Sequence, residues 1–203
     1  MKVLGLTGSI GMGKSVTAGM FRRLGVPVFD ADAVVHRLLG AKGAAYDAVA
    51  RAFAGVAGAA GIDRAALGAR VFGDAVAMAR LEGILHPLVA QARRHWLQRQ
   101  RRRRCRLVVL DIPLLYETGG AVLCDAVVVV SAPALVQRQR VLARPGMDAQ
   151  KFVAILARQM PDAAKRRRAH WIVPTGLGRR FALDRVKRIK QAFMVGSGTD
   201  GHA

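Results

Sequence analysis

Cysteine is almost missing from this chain. Cys105 and Cys124 are the only two in 203 residues, and neither belongs to a CxxC pair or a metal-ligand spacing. That argues against a disulfide framework or a structural zinc site and points to a reducing, cytoplasmic setting. Aromatic residues are scarce at 5%, so few rings are on offer for stacking unpaired bases. Acidic residues number 13 against 33 lysines and arginines, giving a net charge of +20. Such a balance suits nucleic acid, an anionic membrane surface or a polyanionic small molecule, and charge alone does not choose among them. No apolar run is long enough to span a bilayer. Residues 1–13 carry only Lys2 ahead of a glycine-broken apolar stretch, which is not a secretory pattern, so a soluble protein is expected.

Hydrophobic residues, in contrast, make up 52% and charged residues 23%, so the chain can fold by burial. The length fits one α/β domain with insertions. Val3–Thr7 reads as a buried strand, and Ser15–Leu24 as a helix with Gly25 as its stop. Val26–Phe29 reads as a second strand, expected beside the first, that delivers Asp30-Ala31-Asp32 at its carboxyl end. From Ala33 to about Gln100 the pattern is helical and alanine-rich. Breaks are expected at Gly55–Gly61 and at His86-Pro87, where Pro87 suits the first position of a new helix.

Leu107–Leu110 and Ala126–Val130 are continuous apolar runs of the kind central parallel strands show. Ala134–Ala143 and Ala149–Met160 read as helices, the second with Asp148 as its N-cap. Trp171–Val173 reads as a last strand, Phe181–Phe193 as a closing helix and Gly196–Ala203 as a frayed tail. The basic run Arg99–Arg106 is either a solvated helix end or a contact for a polyanion, and a second run spans Lys165–Arg168.

Gly8-Ser9-Ile10-Gly11-Met12-Gly13-Lys14-Ser15 satisfies GxxxxGK[ST] between a strand and a helix. Glycines let backbone N–H groups turn inward around phosphate oxygens, and the helix that follows aims its positive end at the same point. Lys14 then reaches the β and γ phosphates of ATP, and the Ser15 hydroxyl is a ligand for Mg²⁺. Asp111, which ends an apolar run, is a second candidate for Mg²⁺, through water.

Switches, motors and small-molecule kinases share this loop, so the acceptor side decides the reaction. Two roles are open to Asp32: taking a proton from an attacking hydroxyl, or capping a helix; Asp30 fits capping better. The stretch from Ile112 to Glu117 places apolar residues and a carboxylate beside the phosphates, where Glu117 is either a substrate contact or a helix-start acid. Arg138, Arg140, Arg144 and Arg158 flank a helix-loop-helix that suits a lid, with Arg140 the choice for developing phosphoryl charge against a reading of solvated helix charges. His86 is a ligand contact or helix punctuation.

Five segments together resemble the dephospho-CoA kinase family along almost the whole chain. They are Gly5 through Ser15, Leu24-Gly25 through Asp32, Arg80 through Val89 with its Ile84-Leu85-His86-Pro87, Asp111 to Glu117, and Gln159-Met160-Pro161 with Lys165. The resemblance implies an α/β P-loop kinase fold, a parallel sheet flanked by helices, within a single domain. Its nucleotide core would take residues 1–32, 101–136 and 169–195, its helical acceptor-binding insertion 33–100, and its lid 137–168. It also implies ATP-dependent phosphorylation of the ribose 3′-hydroxyl of dephospho-CoA. Asp32 is then the base. Gly8, Gly11, Met12, Gly13, Lys14, Ser15 and Val16 lie at the ATP phosphates, Arg140 and Arg144 in the lid, and His86, Leu115, Tyr116 and Glu117 along the acceptor.

Departures stand beside the match. Ser9, Met12 and Val16 replace the usual Gly, Ser and Thr, and His170 with Pro174-Thr175-Gly176 replaces a more acidic, Asp-Asn-Gly-like stretch, which leaves the adenine contacts open. The Arg99–Arg106 run is no part of the family pattern. The alternatives are a kinase for a nucleoside or nucleoside monophosphate, a nucleic-acid-binding P-loop protein, and an ATP-binding regulator that does not need Asp32. No specific nucleic acid and no membrane is expected as a partner, and the sequence is silent on oligomeric state.

Overall fold

In the computed structural model the described residues are 1–195, so the tail expected at Gly196–Ala203 lies outside them. The chain divides into two compact units, Met1–Phe29 with the chain from Gln100 onward, and Asp30–Arg99. β1 (Lys2–Thr7) leads through a loop into α1 (Lys14–Arg23) and then β2 (Val28–Asp30). The second unit continues with α2 (Ala31–Leu38), α3 (Tyr46–Ala52), β3 (Ala57–Gly58), β4 (Gly61–Ile62), α4 (Arg64–Val71) and most of α5 (Ala75–Arg102). The first unit resumes with β5 (Leu107–Asp111), β6 (Ala126–Ser131), α6 (Ala134–Leu142), α7 (Ala149–Ala157), α8 (Asp162–Arg167), β7 (Trp171–Pro174) and α9 (Arg179–Val195).

The main sheet has the order β2-β5-β1-β6-β7, with β1 parallel to β5 and β6, and β6 parallel to β7. The expected neighbourhood of β1 and β2 is thereby corrected, because β5 lies between them. All five residues of β5 are buried, which demands cover on both edges and both faces, whereas β2 is three residues long and half-buried, and tolerates an edge. One consequence positions the site: Asp111, the last residue of β5, pairs in register with Leu6, at the mouth of the loop that leaves β1.

Alternation along β6 builds two cores. Val128 and Val130 join Leu4, Leu6, Phe21 and Ile189 in the cluster under α1 and α9, while Val127 and Val129 pack with Leu115 and Tyr116 in another. The second unit has its own centre of Leu39, Val49, Phe53, Ile62, Leu67, Leu81 and Leu85. Hairpin β3-β4 accounts for the break expected at Gly55–Gly61.

The break expected at His86-Pro87 is absent: α5 runs through Pro87 for 28 residues. Leu81 and Leu85 before the proline and Leu88 after it belong to one apolar cluster, so packing along a single stripe overrides the missing N–H. The basic run ends α5, and Arg101 to Arg104 and Arg106 are exposed. Lys165, at the head of the second run, is instead fully buried. No helix among the described residues is long and apolar enough to cross a membrane.

Proline in a helix interior costs about 3 kcal/mol, partly offset by the stiffer unfolded chain. Pro87→Ala should therefore stabilise the Asp30–Arg99 unit by roughly 1–3 kcal/mol in urea unfolding. A loss of stability on that substitution would contradict a continuous α5.

Candidate active site

The loop between β1 and α1 is shaped by positions where no side chain fits. A Cβ on Gly8 would stand 2.7 Å from Val130 O, and one on Gly11 would stand 2.5 Å from Val141 Cγ2. Gly11 and Gly13 adopt φ of 78° and 91°, the left-handed region that glycine enters without steric cost. Gly13 also occupies the N-cap of α1 and supplies no side chain, so the first-turn amides are left for an anion at the positive end of the helix.

Bracing comes from outside the loop. Ile10 N–H donates to Gln159 Oε1 at 3.0 Å, and Gln137 Nε2 donates to Ile10 O at 2.7 Å, so one residue is gripped on both of its peptide groups. The Met12 side chain is buried, with its sulfur 3.1 Å from the Ala132 amide, and Met12 N–H turns back to Ser9 O. Thr7 Oγ1 donates to Pro113 O at 2.8 Å, joining the ends of β1 and β5.

Lys14 Nζ lies 2.6 Å from Asp111 Oδ1, and Asp111 is almost wholly buried. Ser15 and Val16 are exposed on the first turn of α1. A cleft of about 310 Å³ opens beside this turn, with Gly13, Val16, Arg140, Arg144, Thr175 and Arg179 among its walls. Arg140 donates from both guanidinium ends to Thr175, to Oγ1 and to O, each at 2.9 Å.

On the acceptor side, Asp30 is the N-cap of α2, accepting from Ala33 N–H at 3.0 Å. Asp32 is therefore not the cap; it stands in the first turn, exposed, within the Asp30–Arg99 unit and not the nucleotide core expected to extend to residue 32. His86 is exposed on α5, in mid-helix.

Leu115 and Tyr116, expected along the acceptor, are core residues here. The Tyr116 hydroxyl donates to Arg168 O at 2.8 Å, and the Arg168 guanidinium lies 4.7 Å from its ring centroid. Burial raises the Tyr116 phenol above its ordinary value, and the Arg168 charge pulls it partly back.

Glu117 does not begin a helix. Its Oε1 accepts from Met160 N–H at 2.8 Å and lies 2.9 Å from Nζ of the buried Lys165. Burial works to raise its carboxyl pKa, but the hydrogen bonds from Lys165 and Met160 and the lysine charge prevail and hold it below the ordinary value. The same contact ends α7 at Ala157, short of the expected Met160, because Met160 N–H and the Gln159 side chain are drawn into the loops of the site.

Gln137 and Arg179 are not singled out by the sequence, while Gln159 enters only within the Gln159-Met160-Pro161 segment and Thr175 only within the Pro174-Thr175-Gly176 stretch. Gln137 left a signal: it precedes the buried Val141 by four residues, a carboxamide on the apolar stripe of α6. Thr175 is marked only through the Pro174-Thr175-Gly176 stretch tied to the adenine contacts, and the pairing of β7 with β6 carries it to the loop; Arg179 left no signal.

The sequence model of the dephospho-CoA kinase family matches residues 2–176. A dephospho-CoA kinase of Paramagnetospirillum magneticum is 63% identical over 166 residues, covering 82% of this chain and 78% of that one. A Thermus thermophilus protein of known crystal structure is 34% identical at a TM-score of 0.81, covering 94% of this chain and 96% of its own. The dephospho-CoA kinase of Campylobacter jejuni, at 21% identity and a TM-score of 0.65, covers 95% and 97% respectively and shares the fold.

The Glu117–Lys165 pair makes a prediction with a definite sign. Glu117→Ala leaves a buried lysine uncompensated and should cost roughly 3–5 kcal/mol at neutral pH. Because the folded-state pKa of Glu117 is lowered, its contribution is present above the ordinary carboxyl value and is lost as pH falls through the folded one. Thermal melts across the acid range should show the wild type converging on the variant as pH drops; a gap that stays constant would contradict the pair.

Proposed function

The chain belongs to the dephospho-CoA kinase family and phosphorylates the ribose 3′-hydroxyl of dephospho-CoA with ATP, the last step of coenzyme A synthesis; we propose that Asp32, Lys14 and Arg140 carry the transfer. The observation that supports it best is the loop at Gly8–Ser15, where left-handed glycines, an uncapped helix start and a lysine converge on one anion site.

ATP takes its phosphates into this loop, with backbone amides of the first turn of α1 and Lys14 Nζ around the β and γ groups. Val16, Arg144, Thr175 and Arg179 offer walls for the nucleoside beside them. Asp32 accepts the proton of the 3′-hydroxyl as that oxygen bonds to the γ phosphorus, the bond to the β-phosphate oxygen breaks, and ADP leaves. Lys14 and Arg140 stabilise the charge spread over the group in flight, which makes most of the acceleration positional and electrostatic.

Mg²⁺ fits the donors present. Ser15 Oγ and the Asp111 carboxylate are hard oxygen ligands, and a metal that arrives with a nucleotide completes its shell from phosphate and water rather than from a protein cage. Among the described residues no cluster of three or more acidic, histidine or cysteine side chains offers such a cage. When bound, the ion neutralises charge on the β and γ phosphate oxygens. His86 is proposed as an acceptor contact from the exposed side of α5, and Glu117, Leu115 and Tyr116 as residues that shape the acceptor loop from within. A cytoplasmic location belongs to the same proposal, supported by a cysteine content of two, with neither residue in a CxxC pair or a metal-ligand spacing.

Asp32→Asn should lower kcat on the order of 100-fold or more while ATP affinity is nearly kept, the usual share of a positioned base. A kcat within a few-fold of wild type, measured as CoA formed from ATP and dephospho-CoA, would remove Asp32 from the mechanism.

A further inference from the structure

Thr175 stands where the phosphate loop, the end of the sheet and Arg140 meet. Its N–H donates to Ser131 O at 2.9 Å, which fixes the residue to the end of β6. Its hydroxyl lies 2.7 Å from Met12 O and 2.9 Å from Arg140 Nη1. A hydroxyl has one proton to give, a carbonyl only accepts and a guanidinium only donates. The Thr175 proton therefore goes to Met12 O in the phosphate loop, at 2.7 Å, in preference to Ser131 O at 3.5 Å, and a lone pair of the same hydroxyl oxygen takes the arginine N–H. Arg140 Nη2 completes the fork on Thr175 O at 2.9 Å.

We propose that Thr175 is a positioning residue for phosphoryl transfer: its hydroxyl ties the orientation of the Arg140 guanidinium to the backbone of the phosphate loop. Both acceptors of this fork are neutral. A carboxylate there would orient the arginine and cancel its charge, whereas a hydroxyl and a carbonyl orient it and leave the charge for a phosphate. The walls of the cleft favour the same use, since Arg140, Arg144 and Arg179 line it and, among the described residues, no acidic one does. Packing is close as well: a Cβ on Gly13 would stand 3.2 Å from Thr175 Oγ1, so the hydroxyl rests against the glycine that starts α1. The inference rests on Arg140 acting on the nucleotide and reaches one residue behind it.

A double-mutant cycle of Thr175→Val with Arg140→Ala tests this, read by ATP-binding titration and by the kinetics of CoA formation. Thr175→Val should weaken ATP binding and lower kcat/KM for ATP by about tenfold, the scale of one charge-assisted hydrogen bond, with the KM for dephospho-CoA unmoved. Thr175→Ser, which keeps the hydroxyl, should recover the loss. Once Arg140 is alanine, Thr175→Val should add almost nothing.

The proposal is overturned if Thr175→Val costs nothing, or costs the same with and without the arginine. Should the valine variant melt early, the serine and alanine variants carry the same comparison. Wild-type protein that binds ATP yet forms no CoA would sink the acceptor assignment alone, because the binding cycle still decides the role of Thr175.

Discussion

A turn with no room for a side chain at Gly8 or Gly11 governs this molecule. The chain leaving β1 must double back tightly enough to start α1 at once, with Gly8 against Val130 O and Gly11 against Val141, and it does so through backbone conformations that only glycine adopts without strain. Every functional feature of the first unit leans on that geometry. Gln137 and Gln159 hold the two peptide groups of Ile10 from two directions, Thr7 and Pro113 hold the base of the loop, and Lys14 comes to rest on Asp111 because β5 lies next to β1. The anion site is thus built before any anion enters it, which is how preorganised electrostatics contribute to a transfer reaction.

Charge in this protein is abundant on one side and rationed on the other. With 13 acidic residues against 33 basic ones, several carboxylates have conspicuous work. Asp30, Asp63, Asp74 and Asp148 accept from amides at helix starts, where they also complement the dipole. Asp111 and Glu117 each hold a lysine that is largely or wholly buried. Asp32, exposed on the first turn of α2 with the cap supplied by its neighbour Asp30, is an acid that helix capping leaves available for chemistry. Arg140 at the cleft follows the opposite rule, since it is fixed by neutral oxygens and keeps its charge.

How much of this could be read from the amino acids varies with range. The loop, its flanking strand and helix, the apolar runs of β5 and β6 and the caps at Asp30 and Asp148 are local patterns, and each has a short-range physical cause. Order in the sheet was not legible, because nothing in the three residues of β2 says that β5 comes between it and β1. Pro87 misled for a related reason: its helix-breaking chemistry is local, whereas the stripe of Leu81, Leu85 and Leu88 that carries α5 past it is tertiary. Likewise, Leu115 and Tyr116 read as surface for a substrate until Val127 and Val129 are seen to cover them. The Glu117–Lys165 pair and the meeting of Thr175 with Met12 join segments far apart in sequence, and only the fold brings them together.

The decisive measurement is a titration of ATP into Gly11→Ala beside the wild type, with melting curves to establish that both are folded. A methyl at this position has no room and would sit on a strained left-handed backbone, so the variant should bind ATP at least about 100-fold more weakly while retaining its sheet, the scale of some 2.7 kcal/mol in binding. Equal affinity in the two proteins would mean that the turn between β1 and α1 is not where the triphosphate sits, and the account would fall with it.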